Sequence, residues 1–278
     1  MSSTMRPLLA AAVWLGASIS TTAPAAAEGW PARVSATFQV EFGGVDVGTF
    51  DFKSSTTGGS YVVNGNGNLS LLFGALKWTG VGEASGKLGT EGIHPLSFAS
   101  SYKSTAKAGG TRMTYTGDTI SSVLHDPPKG PKEGTVPVLP QHLMNVLDPM
   151  SAVLAMSKGS SGNPCSRRIP VYDGRARFDL ILQPRGTVQL SEIKPSGQPG
   201  TGYVCRIKYV PIAGHKADDE TRAMAQSTEI EIILRPIPSA NVFVPYKVTI
   251  PTIAGSAVLK AKRVDITTSA QQVIALSH

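Results

Sequence analysis

Only two cysteines, Cys165 and Cys205, occur in the chain. That scarcity excludes a cysteine-built zinc site, and their wide spacing excludes a Cys-x-x-Cys redox motif. The five histidines, His94, His125, His142, His215 and His278, are dispersed and show no metal-ligand spacing, so neither a metal nor a cofactor is expected. No Gly-x-Ser-x-Gly elbow and no His-Glu-x-x-His pair occurs, so an enzyme is not expected. Basic residues exceed acidic ones, for a net charge of +7, yet no run of five or more lysines and arginines exists. Nor are basic residues interleaved with aromatics, which make up only 6% of the chain; nucleic acid is therefore a poor partner. Helical crossovers of 10–15 residues between strand patterns are missing as well, which sets aside parallel α/β architecture.

What the chain does have begins with an export signal. Arg6 precedes an apolar run from Leu8 to about Ile19, followed by the small residues Ala23-Pro-Ala-Ala-Ala27. This order reads as a leader over residues 1–27, cut after Ala27 at Ala25-x-Ala27. The run falls short of the roughly 20 residues a bilayer core requires, no later run reaches it, and no cysteine lies near the cleavage site for lipid attachment. The expectation is a periplasmic protein with no transmembrane segment after cleavage. Losing Arg6 lowers the charge from +7 to +6, still basic enough to dwell near anionic envelope components.

Strand patterns fill the rest. Val34, Ala36, Phe38, Val40 and Phe42 alternate with Ser35, Thr37, Gln39 and Glu41, the period of a strand buried on one face. Gly43-Gly44 turns the chain into Val45–Lys53, where the apolar set changes parity around Gly48 and implies a bulge. Short strands are expected at 61–63, 68–73, 76–83, 96–102, 112–116 and 119–124. They continue at 169–172, 175–183, 188–193, 203–210, 228–235, 242–250 and 257–267. Asn64-Gly-Asn-Gly-Asn68 resembles a phosphate loop superficially but has no following helix, and reads as a turn. Two helices are expected. One is capped by Asp148, carries Pro149 at its first position and ends at Gly159; the other covers about 217–226, with Asp218, Asp219 and Glu220 in its first turn. The Pro/Gly/Lys-rich stretch at about 126–140 reads as an exposed connection inside one domain, residues 28–278. The fold class is mainly β: a many-stranded antiparallel barrel-like or spiral sheet with one or two short helices.

Asp173-Gly174, between two strand patterns, predicts a tight hairpin with positive φ at both centres. On its second strand Phe178, Leu180 and Leu182 share one face and Arg175, Arg177 and Asp179 the other. The charged face is either solvated, with an ion pair between i and i+2 neighbours, or lines an interior or groove where arginines hold a carboxylate or phosphate. Cys165 and Cys205 are expected to pair in an oxidising compartment, stabilising the fold by about 4 kcal/mol in the chain-entropy model. Arg167, Arg168 and Arg206 beside them favour thiolates and leave a redox role as the lesser alternative.

Asp148-Pro-Met-Ser-Ala-Val-Leu-Ala-Met156, Cys165 and Tyr172-Asp-Gly-Arg-Ala-Arg-Phe-Asp-Leu180 resemble a family of exported proteobacterial proteins classed as a domain of unknown function. Phe38-x-Val40…Gly48 and Gly92-Ile-His-Pro95 are similar too, so the resemblance covers roughly Val34 to Asp265. It implies no catalytic residues. The layout of leader, many strands and one disulfide is also similar to periplasmic β-spiral proteins associated with envelope integrity. The function expected is a non-catalytic envelope protein binding a lipid, a glycan or a periplasmic protein. A hydrolase with a non-obvious site and a structural partner of an envelope complex stay open. The lipid-carrier version requires a continuous apolar cavity.

Overall fold

The computed structural model describes residues 29–71, 74–89, 92–130, 133–159 and 162–278; the expected leader lies outside them. Fourteen strands form one antiparallel sheet. The first seven are β1 (Arg33–Phe42), β2 (Val45–Thr57), β3 (Ser60–Leu71), β4 (Leu76–Leu88), β5 (Ile93–Ser104), β6 (Ala108–Thr116) and β7 (Thr119–Asp126). After a long connection come helix α1 (Pro149–Ser157), β8 (Arg167–Tyr172), β9 (Arg177–Gln189) and β10 (Thr201–Ala213). Helix α2 (Asp219–Gln226), β11 (Glu231–Ile237), β12 (Val242–Thr252), β13 (Gly255–Thr267) and β14 (Val273–Ser277) complete the chain.

Two meanders, β1 to β7 and β8 to β13, are joined where β1 pairs with β13, and β14 adds to the same edge of β13 that β12 uses. The sheet does not close; β7 and β8 are its ends. The residues between them bridge that gap. Thr119 pairs with Met144, the Val136 amide donates to the His215 carbonyl at 2.9 Å, and Leu147 pairs with Val171 of β8. The described residues of the expected connection, about 126–140, are exposed or partly exposed, and the residues that follow it turn inward, with Val146 and Asp148 buried. Bare strand edges invite pairing with other chains, and the Met144 and Leu147 contacts occupy the start of β7 and the end of β8.

Local chemistry accounts for most elements. The alternation in β1 holds, with Ala36, Phe38 and Val40 buried. The predicted bulge is present: Val40 faces Gly48 and Glu41 faces Asp46, leaving Val47 as the extra residue. Asp148 caps α1 and Asp218 caps α2, as their side chains require.

Three expectations fail, each for a physical reason. Asn64–Asn68 is no turn but the middle of β3, because its glycines alternate onto a crowded face and its asparagines onto the open one. Segments 175–183 and 188–193 are not two strands: residues 177–189 form the single β9, with Pro184 and Gly186 at an irregularity in its pairing with β10, and residues 190–193 lie beyond it. The Asp173-Gly174 turn is wider than predicted, spanning four residues between the paired Tyr172 and Arg177. Gly174 alone of its residues takes positive φ (94°), while Asp173 uses its carboxylate to accept from the amides of Arg175 (2.8 Å) and Ala176 (2.7 Å).

Candidate functional site

The inner faces of β1 and β2, α1 and strands β11 to β13 surround an apolar cavity of about 120 Å³. Strand alternation aims Ala36, Phe38 and Phe52 into it from the N-terminal meander, and Ile232, Phe243 and Val244 line it from the C-terminal one. The second turn of α1 roofs it with Val153, Leu154 and Met156. Trp30, Val34 and Leu259 at its rim are only partly buried, so the cavity runs from the surface into the core. Ser54, Thr56 and Ser157 are its few polar side chains. With so little to hydrogen-bond, water gains little there, and an apolar group fits.

Next to this cavity the same face has a floor without side chains. Gly65 faces Gly82 and Gly67 faces Gly80 across β3 and β4. Met150, Phe50 and the Trp78 indole lie over them: a β-carbon at Gly80 would stand 2.3 Å from the indole, and one at Gly65 2.9 Å from Met150 Cε. These glycines exist for close approach, not for turning.

Helix α1 is moored by a buried polar chain. Asp148, fully buried, accepts from the Met150 (3.0 Å) and Ser151 (2.9 Å) amides and from Ser151 Oγ (2.5 Å). Tyr61 of β3 stands 2.7 Å from Ser151 Oγ and, with the serine proton committed to Asp148, donates to it. Burial pushes the Asp148 carboxyl above the usual carboxylate range, against the hydrogen bonds from Ser151 and Met150 that pull it down. Burial also raises Tyr61 and Tyr115 well above ordinary tyrosines.

Residues 37–262, which hold most of the cavity, α1 and both cysteines, match the family described as "Protein of unknown function (DUF3108)". The chain belongs to DUF3108. No curated protein and no solved structure matches it.

Within this DUF3108 fold the three charged residues expected to share one face do not all act together. Arg177 and Asp179 lie on the side opposite the core residues Ile169, Val171 and Leu182, away from the apolar cavity. Asp179 is nonetheless fully buried, because Arg177 (2.5 Å) and Arg168 of β8 (Nε, 2.6 Å) close over it. The carboxylate is shared by two guanidiniums, and no histidine is among its partners. Arg175 stands apart, in the cleft between the sheet ends.

Cys165 and Cys205 form the expected disulfide, with Cα atoms 5.1 Å apart and both residues fully buried. An external thiol cannot reach a buried bridge without local opening, so the geometry suits a structural cross-link. Sequence reasoning passed over Arg235, which is 1% exposed on β11. It bonds Glu192 (2.6 Å), the Pro199 (2.9 Å) and Gln198 (3.2 Å) carbonyls and Ser196 Oγ (3.2 Å), organising the whole β9–β10 connection. The one available signal was an arginine inside the apolar run Ile230–Ile237. Among the described residues no group of three or more histidines, cysteines or carboxylates could hold a metal ion, and no helix is long and apolar enough to cross a membrane.

Proposed function

We propose that this DUF3108 protein is a non-catalytic component of the periplasm that binds a lipid through an acyl chain. The apolar cavity carries the reading: side chains from both meanders and α1 line a space that polar groups scarcely touch. Cavities of similar size and lining stay dry and accept apolar guests about as large as benzene, so the site suits the end of one chain rather than a whole lipid. The leader pattern before Glu28 and the basic charge support a position near anionic envelope lipid.

Trp30 at the rim is a built-in reporter. Titration with a medium-chain fatty acid should change its fluorescence saturably and raise the unfolding temperature, as any ligand of the native state does. Val244→Trp, which fills the cavity, should abolish both responses, and native mass spectrometry of periplasm-purified protein should show a co-purified lipid. Unchanged fluorescence and unfolding temperature at saturating fatty acid, with no lipid retained, would refute the proposal.

A further inference from the structure

We infer that a second site lies in the cleft between the sheet ends and binds a phosphate-type anion through Arg175, Lys129 and Lys216. This inference stands apart from the acyl-chain reading and uses none of the same residues. The cleft, about 990 Å³, is walled by Val123 and His125 of β7, by Lys129, Gly130 and residues 135–138 of the connection, by the β8–β9 turn and by the segment after β10. Its depth comes from the fold. The β8–β9 turn lies so close to the opposite sheet end that a β-carbon at Gly174 would overlap Thr111 at 2.4 Å and touch His125 at 3.7 Å.

Each cation comes from a different wall. Lys129 is on the connection, Arg175 on the β8–β9 turn and Lys216 on the segment that pairs with Thr135. Among the described residues no carboxylate lies within 4.0 Å of any of the three. Two carboxylates also line the cleft, Asp173 accepting from the Arg175 and Ala176 amides and Asp218 from the Thr221 amide at 3.0 Å, with the Lys216 charge also acting on Asp218, so three cations face two anions there. The excess of positive charge registers on His125, which burial, then Arg175 and Lys129, hold below the ordinary histidine value. A second wall residue, His215, has a buried Nδ1 with no hydrogen-bond partner. A buried polar atom left unpaired in a native fold points to a missing partner.

Why a phosphate rather than a carboxylate follows from the arrangement. A planar carboxylate presents its two oxygens in one plane, whereas a tetrahedral anion presents oxygens toward several walls at once. Arginine supplies the fork, and the two lysines act as point charges. The cleft is much larger than one phosphate group, so the anion is the charged end of a larger molecule. A small phosphorylated metabolite and a phospholipid headgroup share that chemistry.

Calorimetric titration separates them. The probes are inorganic phosphate, glycerol 3-phosphate, phosphatidylglycerol vesicles and phosphatidylcholine vesicles as control. The expected result is saturable one-site binding that weakens with added salt and falls about tenfold or more in Arg175→Gln and in Lys216→Gln, the loss of one charge-assisted contact. Binding of the soluble probes alone identifies a small phosphorylated ligand; binding of phosphatidylglycerol vesicles alone identifies a headgroup. No saturable binding of any probe, or equal binding by wild type and both variants, overturns the inference. Circular dichroism and the Trp30 response to fatty acid show that the variants are folded, so the two sites succeed or fail separately.

Discussion

The two meanders solve the same problem in different ways. In β2 to β6 the outer face is open and polar, with Lys53, Asn64, Asn66, Glu83 and Arg112 exposed, and the inner face is thinned by glycines to admit α1 and Trp78. In β8 to β12 more is covered on both sides. The β9–β10 connection lies over Ile233, Arg235 and Pro236, Arg168 and Arg177 close over Asp179, and the disulfide ties the segment after α1 to β10. One half is held by strand pairing and a single moored helix. The other adds cross-links. The difference teaches that the cavity sits where the lightly built half meets the heavily tied one, so one wall can yield while the other holds.

The largest expected effect is on the tied half. Cys165→Ser should lower stability by about 4 kcal/mol in the chain-entropy model for a separation of 40 residues, read as a fall in the urea midpoint. A midpoint unchanged from the oxidised protein would erase the contrast between the halves. Glu192→Ala comes next: it leaves Arg235 buried without its counter-charge and should cost about 2–4 kcal/mol, with earlier proteolysis in the β9–β10 connection. On the light half, Gly65→Val must displace Met150 and Phe50 and should cost about 1–3 kcal/mol by overpacking. The same change should alter binding at the neighbouring cavity, which fluorescence of Trp30 reads.

The smallest effect is also the sharpest, because the halves should answer acid with opposite signs. The Arg235 guanidinium holds Glu192 down at about 2, so its contribution is present above the ordinary carboxylate value and is lost as pH falls toward 2. Asp148 is raised by burial, so its contribution is full below the ordinary value and is lost as pH rises through the raised one. Urea unfolding between pH 2 and 7 should therefore show Glu192→Gln flattening the acid loss and Asp148→Asn removing an acid gain. Parallel shifts in both variants would mean that one of the two environments is misassigned.

Much of this was legible in the chain. Alternation in β1, the parity change at Gly48, the Asp148-Pro149 cap and the lone cysteine pair are local signals, and each has its local outcome in the fold. What failed depended on distant partners. Asn64-Gly-Asn-Gly-Asn68 reads as a turn until Met150 and Trp78, from other elements, occupy the space above its glycines. Arg175, Arg177 and Asp179 share a parity, yet the widened turn sends Arg175 into the cleft while Arg168 joins the other two. The cavity itself was invisible, since its lining comes from strands far apart in sequence, and periodicity reports which residues face inward without reporting whether they meet.

The pairing of β1 with β13 has a consequence for how the molecule is made. All other neighbours in the sheet are successive strands, which a chain can pair as soon as each hairpin is complete. β1 alone must wait for residues 255–267, which follow every strand from β2 to β12 in the chain. Until they arrive, β1 carries one unpaired rim, apolar on one side. Such a rim is a template for wrong partners until β13 covers it.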